Sequence, residues 1–540
     1  MSEKFKKLIS SETFIIGFAC FALLLVRYFW QGVAYYPQMD DYIQYHNYAS
    51  FYGSLGAAIE NLGLLRARPL AGIMDIAVWS KLWGNMHIAV MIISALYVVS
   101  GILFKNVFEK YFNMSNIFLV IYLLSPFFFE AVYWISASSR IVLGLFFTAV
   151  ALYLFQLYFE RDSKAILAVS FLVQLIAFCF YEQAMVISIT VTMFIGIFRL
   201  IKKDKRCFTA VVTFINVVLY YLITNIQSSS TLYDSRMKIV LPFMGKGFIS
   251  NFRNSLNQYI EIFTDGFVNI GTKGFVKGLT ITQNFNGIIA IILTLLLCAV
   301  FVMAGIRYNK CSDTDKKFNI FIGIIVSFLV FLAPLTPFFI IENAYIPMRN
   351  GMMAMLGLAM LVDILASDLL KNKKAVGVIC AVMIFCFTVS AFSEIETYRL
   401  SYEADAKLVE AASNVEFSSN TAIIGIDEHW VKDQSFMYKE HVSATSGSPW
   451  SLTGMLRCCL KNQQLPLVTP ISAEVPYMSW SYESKKLSNF DTIYHYVDDS
   501  FIKLECEQTG EKTYELTKNG QPYAKMYDNK GMGVFELYDK

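Results

Sequence analysis

Charge is scarce in this 540-residue chain. Lys, Arg, Asp and Glu together supply 16% of it, against roughly 25% in an ordinary soluble domain. That scarcity excludes a soluble globular enzyme, and it equally excludes a disordered chain, which needs high polarity. The net charge of +3 is too small for a nucleic-acid footprint. The ten cysteines form neither a metal-ligand series nor a disulfide framework. No G-x-x-x-x-G-K-[ST] is present, so the chain encodes no ATP motor, and H-E-x-x-H and G-x-S-x-G are missing too. There is no internal repeat and no low-complexity linker. What the chain does have is apolar surface: 56% of its residues are hydrophobic, with 46 Phe and 31 Tyr, the composition of a helical protein that uses lipid as solvent.

A spanning helix needs about 20 mostly apolar residues. Such runs occur at 13–35, 87–105, 117–134, 141–159, 165–181, 184–201, 208–226, 287–306, 318–341, 351–370 and 375–393. The expected fold is a polytopic α-helical membrane protein with about eleven transmembrane helices. The first run is too long for a cleaved signal peptide, and many others follow it.

Lys and Arg prefer cytoplasmic loops. Lys4, Lys6 and Lys7 precede the first run. Lys105 and Lys110, then Arg161 and Lys164, then Lys202 to Arg206, then Arg307 to Lys317, and finally Lys371 to Lys374 follow every second one. Eleven spans put all of these on the cytoplasmic side. Residues 69–84 (PLAGIMDIAVWSKLWG) are short and contain Asp75 and Lys81. Were they to cross, every later basic loop would reverse, so they read as an interfacial or re-entrant helix, with Pro69 at its first position. The outer face then holds a long first loop (36–86), a second long loop (227–286), short turns near 134–140, 181–183 and 342–350, and the polar region 396–540. That last region reads as an extracytoplasmic mixed α/β domain following a membrane domain of residues 1–395. Ile423, Ile424 and Ile426 sit in an expected strand, and Asn519-Gly520 marks a hairpin turn.

The candidate chemistry lies on that outer face. Asp40 and Asp41, in YYPQMDDYIQYHNYAS, can act as general base on an acceptor hydroxyl or hold a divalent cation through hard oxygen ligands; a solvated acid pair is the bland alternative. His46 is the one histidine beside them. Arg66 and Arg68 carry planar forks suited to phosphate, or they contact lipid headgroups. Glu182, in FYEQA, sits in a tight turn between two apolar runs and needs a partner, a cavity or water. Tyr345 and Arg349 lie in ENAYIPMRN, where Glu342 is a local partner for Arg349. Arg140 reads as an interfacial anchor, Arg27 as a snorkelling side chain and Asp363 as structural. One of Cys458 and Cys459 can bridge to Cys506 if the compartment is oxidising. Asn113-Met114-Ser115 is a formal glycosylation sequon on the cytoplasmic side.

With QMDDYIQY at 38–45, RARPLAG at 66–72 and FYEQA at 180–184 in this topology, residues 1–395 resemble the GT-C superfamily of membrane glycosyltransferases. That group includes protein O-mannosyltransferases, aminoarabinose transferases of lipid A and bacterial glucosyltransferases that decorate surface polymers. The resemblance implies transfer of a hexose from a polyprenyl-phosphate-linked sugar to a cell-envelope glycan, lipid or polymer. Asp40 and Asp41 would be catalytic, and Arg66, Arg68, Glu182, Arg349, His46 and Tyr345 would bind substrate. The chain lacks WWDYG, which argues against oligosaccharyltransferase activity. No second metal-binding acid matches, so the cofactor stays unknown, with a divalent cation on Asp40 and Asp41 the one candidate. The partners implied are the lipid-linked donor, the acceptor and membrane lipids, with no nucleic acid, and the setting a multi-pass protein of a bacterial plasma membrane with a cytoplasmic N-terminus. The competing readings are a surface-polysaccharide polymerase or ligase, a lipid or polysaccharide transporter, and a membrane scaffold.

Overall fold

The computed structural model of the chain describes residues 12–43, 68–226, 240–308, 319–342, 344, 346–370, 372–418, 420–426, 445–471, 487–529 and 532–538. The candidates His46, Arg66 and Tyr345 lie outside these residues. The chain divides into two compact units: Met1–Tyr35, Ser54–Ile395 and Phe436–His441 form one, and Tyr36–Gly53, Glu396–Ser435 and Val442–Lys540 form the other.

The first unit is helical. Its elements are α1 (Glu12–Phe29), α2 (Pro69–Ala77), α3 (Met86–Phe108), α4 (Ile117–Leu124), α5 (Ile135–Arg161), α6 (Lys164–Phe180), α7 (Glu182–Ile201), α8 (Thr213–Ile226), α9 (Lys246–Glu261), α10 (Gly274–Ile281), α11 (Phe285–Tyr308), α12 (Ile320–Leu332), α13 (Met355–Leu369) and, as far as Ile395, α14 (Lys373–Ala412). Among the described residues, nine helices are long and apolar enough to cross a membrane.

Two expected spans fall short of that length. Run 165–181 forms the 17-residue α6. Run 117–134 is broken: α4 stops at Leu124, Ser125 is extended (ψ 133) because Pro126 disfavours the helical region for the residue before it, and a short helix resumes at Glu130–Tyr133. Every residue of α4 is buried, as suits a helix that is apolar all round. The segment 69–84 does not cross as one helix. It folds as α2, with Pro69 first, and a 3-10 turn at Trp79–Leu82.

α5 packs on both α3 and α6. The α5–α6 connection is a tight turn: Asp162 is left-handed (φ 49) and closes α5, and the Ser163 hydroxyl caps α6 by accepting from the Ile166 N–H at 3.5 Å. Asp363 takes the structural role expected of it, accepting from the Ser115 N–H at 2.7 Å and from the Ser115 hydroxyl.

The second unit carries one seven-stranded sheet, order β2-β1-β3-β4-β5-β6-β7, built from β1 (Thr421–Ile424), β2 (Val468–Ile471), β3 (Thr492–Val497), β4 (Ser500–Gly510), β5 (Thr513–Lys518), β6 (Gln521–Asn529) and β7 (Met532–Leu537), with α15 (Pro449–Cys459) between β1 and β2. β1 lies parallel between β2 and β3, and the rest is an antiparallel meander. β1 and β2 are buried throughout, the pattern of parallel strands covered on both faces. Pro470 is tolerated because β2 is an edge strand. Asn519 and Gly520 both have positive φ (52 and 75), the hairpin geometry their sequence requires. Asp498 and Asp499 adopt the same conformation between β3 and β4. Cys458, Cys459 and Cys506 are free thiols.

Candidate active site

In the first unit, charges gather where α6 gives way to α7. Tyr181 is extended (φ −157, ψ 129) and separates the two helices. It lies within electrostatic reach of Arg68, Glu182, Arg349 and Arg140, so residues far apart in sequence meet around one tyrosine. Arg68 stacks on the Tyr181 ring at 4.4 Å, and its Nε–H donates to both Glu182 oxygens at 3.0 and 2.8 Å. The Tyr181 hydroxyl donates to Asn350 Oδ1 at 3.0 Å. The Gln183 amide donates to the carbonyls of Pro334 (2.7 Å) and Asn350 (3.2 Å). These bonds fix the 3-10 segment Met348–Ala354, which carries Arg349. Gly144 lets α5 come close here, since a Cβ on it would sit 3.1 Å from Tyr181 Cβ.

Arg349 lies over the Trp134 ring at 5.2 Å and donates to Glu130 Oε1 at 2.5 Å. The Arg68 and Arg349 side chains keep 30% and 31% exposure, which leaves both guanidinium groups within reach of an incoming anion. Arg140 differs. Its side chain is 5% exposed and donates from Nη2 to fully buried Asp75 at 2.5 Å. It also bonds the Ser136 carbonyl and Ser139 Oγ, the latter at 3.2 Å. Its position supports the site from behind.

Three expectations are corrected. Arg140 is no interfacial anchor, because Asp75 on α2 draws it into the interior. Arg349 pairs with Glu130 in place of Glu342. Arg27 does not snorkel: it is 1% exposed and donates to the Leu124 carbonyl at 3.0 Å, one of those left open where α4 ends.

The acidic pair lies in the second unit. Asp41 is fully buried, and its Oδ2 accepts the Gln38 N–H at 3.0 Å, a reverse-turn clasp around Met39 (φ 37). The Met39 N–H donates to Thr445 Oγ1 at 3.1 Å, and Gln38 Nε2 donates to the Tyr398 carbonyl at 3.5 Å. Ile43 sits against Gly454, where a Cβ would meet it at 2.7 Å, so this glycine is needed for close approach of α15. Asp40 is half-buried. Among the described residues, no group of three or more His, Cys, Asp or Glu could hold a metal ion.

The structure thus brings Arg68, Glu182 and Arg349 together within the first unit. Asp75, Glu130, Tyr181, Gln183 and Asn350 complete the cluster, and sequence reasoning missed them. Two of them carried a usable signal. Asp75 in PLAGIMDIA and Glu130 in FFFEAVYW are acids in apolar runs, which require buried partners.

Compared with known proteins, residues 82–350 match the sequence model of the glucosyl transferase GtrII family. The matched stretch runs from α3 to Asn350 and includes Tyr181, Glu182, Arg140, Glu130 and Arg349. This helical part of the chain is similar to GtrII glucosyltransferases, in keeping with the resemblance to membrane glucosyltransferases. A search of curated proteins finds no match.

Proposed function

Starting from that match, we propose that the protein transfers glucose from a polyprenyl-phosphate carrier to a surface polymer at the outer face of the membrane. The observation that carries this reading is that Tyr181, Arg140 and Arg349 lie in a stretch matching glucosyltransferases, and that Arg68, from outside that stretch, stacks on Tyr181 and pairs with Glu182. Where sugar nucleotides are not at hand, a lipid-phosphate sugar is the activated donor that the membrane itself delivers.

In the proposed reaction an acceptor hydroxyl oxygen bonds to the anomeric carbon of the donor. The bond from that carbon to the phosphate oxygen breaks, and the lipid phosphate leaves. Asp40, the half-buried member of the pair, takes the hydroxyl proton as general base, a role typically contributing about 10²–10⁴ in rate, and buried Asp41 holds the turn that carries it. Arg68 and Arg349 meet the negative charge that builds on the departing phosphate. Such fixed charges are worth most where water is excluded. The stacking of each guanidinium on an aromatic ring keeps it oriented before substrate arrives.

The test is transfer of radiolabelled glucose from a polyprenyl-phosphate donor by purified protein in lipid. The Asp40→Asn, Asp41→Asn double variant should lose at least about 10² in kcat while remaining folded. Full activity in a folded double variant would remove the acidic pair from the reaction.

A further inference from the structure

The helix α9 (Lys246–Glu261) has three distinct faces. Asn251, Ser255 and Tyr259 are buried, and each donates to a main-chain carbonyl of the segment after α12: Asn251 to Phe339 at 2.7 Å, Ser255 to Phe338 at 3.1 Å and Tyr259 to Leu335 at 3.4 Å. Gln258 clasps the same segment further on, donating to the Ala344 carbonyl and accepting from the Ile346 N–H, both at 2.9 Å. A second face exposes Ile249, Phe252, Leu256 and Ile260, and Phe243 stands 81% exposed just before the helix. Their spacing of three and four residues makes one apolar stripe, the form of a helix lying in a membrane interface.

The third face holds Ser250, Arg253, Asn254 and Asn257. With Glu342 they line a cavity of about 440 Å³, within the roughly 300–1,000 Å³ of small-molecule sites. A face that is merely solvated would favour Lys and Glu, which support helices better than Asn and Ser do. Asparagine amides each present two donors and an acceptor, which suits the alternating donor and acceptor character of sugar hydroxyls. One Arg and one Glu leave the lining without net charge, which disfavours a bare phosphate.

We propose that this cavity is a carbohydrate subsite that takes a neutral, hydroxyl-rich sugar unit of the acceptor glycan. Asn254 and Asn257 bond its hydroxyls, and Arg253 and Glu342 bracket it. The anchored face of α9 holds these side chains in place, and the apolar stripe keeps the helix at the membrane surface. The acceptor role rests on the glucosyl-transfer reading; binding of sugar does not.

The experiment has two arms, both on full-length protein in lipid nanodiscs. In the first, saturation-transfer NMR uses neutral trisaccharides of hexose, deoxyhexose and N-acetylhexosamine units, with glycerol phosphate as the competing chemistry. At least one trisaccharide should receive saturation, and the Asn254→Leu, Asn257→Leu variant should weaken its binding by about tenfold, the loss expected for two hydrogen bonds. Ser250→Leu, one turn before Asn254 on the same face, narrows the cavity and should weaken it too. No trisaccharide binding, unchanged binding in both variants, or binding of glycerol phosphate alone would each overturn the proposal. The second arm measures glucosyl transfer, where the variants should raise acceptor KM by about tenfold and change kcat less than about twofold. An unchanged KM in an active enzyme rejects the subsite. Absence of transfer by the unaltered protein rejects the glucosyl-transfer reading instead, and the NMR arm then decides the subsite alone.

Discussion

The Asp75–Arg140 pair offers a sharp test of how the first unit is held together. Both side chains are essentially out of water, at 0% and 5% exposure, with Oδ2 and Nη2 2.5 Å apart. Replacing Arg140 by Met takes the guanidinium away from a fully buried carboxylate. Breaking a buried pair in this way costs about 3–5 kcal/mol, or roughly two to three and a half decades in the unfolding constant. Asp75→Leu should destabilise comparably by taking the Asp75 carboxylate from a buried guanidinium whose bonds to Ser136 and Ser139 are to neutral oxygens. Replacing both, with Asp75→Leu and Arg140→Met together, removes two desolvation penalties at once. Such swaps are neutral or stabilising by about 1–4 kcal/mol, so the double variant should be far more stable than either single. Denaturant titration in mixed micelles, followed by tryptophan fluorescence, reads all four corners of the cycle. Single losses below about 1 kcal/mol, or a double variant as unstable as the sum of the singles, would show that the pair is solvated and the buried assignment wrong.

Arg349→Lys keeps the charge but loses the planar fork that lies over Trp134 and reaches Glu130. It should lower kcat/KM for the lipid-linked donor by about 10–10²-fold, with Arg349→Ala lower still; equal activity of the two would show that shape is irrelevant there. Glu182→Gln frees Arg68 from a competing carboxylate, so donor KM should fall about two- to tenfold while Arg68→Gln raises it, as donor titrations would show; movement in the same direction would refute competition. In the second unit, burial lifts the Asp405 carboxyl to about 7, with Thr445 opposing through a hydrogen bond. The residue belongs to the part of α14 beyond Ile395. Its folded pKa lies above the roughly 3.9 of an unfolded Asp, so the folded state holds the proton longer. Stability should therefore decline as pH rises from about 4 to about 7 and level off above. Asp405→Asn should flatten that decline, as measured by hydrogen exchange at residues 445–459.

The sequence reveals the long apolar helices, nine of the eleven expected among the described residues, because hydropathy over about 20 residues is a local property. It reveals the Asn519-Gly520 hairpin and the start of α2 at Pro69 because φ preferences are local too. It fails where the deciding contact is distant. Arg349 has Glu342 nearby in sequence, yet its carboxylate comes from Glu130, 219 residues away. Run 117–134 is apolar enough to span but contains Pro126, and the break there opens carbonyls that Arg27 then satisfies. The Asp498-Asp499 turn was hidden for another reason: aspartate tolerates the left-handed region, but without a glycine its signal is weak. Asp40 and Asp41 were conspicuous as a pair, but nothing local announced that Asp41 would be clasped by Gln38 and fully buried.

The pairing pattern at Tyr181 says something about how such a centre can exist before substrate arrives. Three arginines gathered at one end of apolar helices would repel one another and resist leaving water. Each instead holds an acid from a different element: Glu182 opens α7, Glu130 comes from the broken segment after α4, and Asp75 from α2. The resting cluster is therefore close to neutral, and its stability does not depend on a bound anion. The exposures separate the roles. Arg140 is sealed in and ties α2 to α5. Arg68 and Arg349 keep one side to solvent while aromatic rings hold the other, so both can turn toward an arriving phosphate without leaving their carboxylates. That division, one sealed pair bracing two accessible ones, is the physical basis for proposing anion recognition by Arg68 and Arg349 and a positioning role for Arg140.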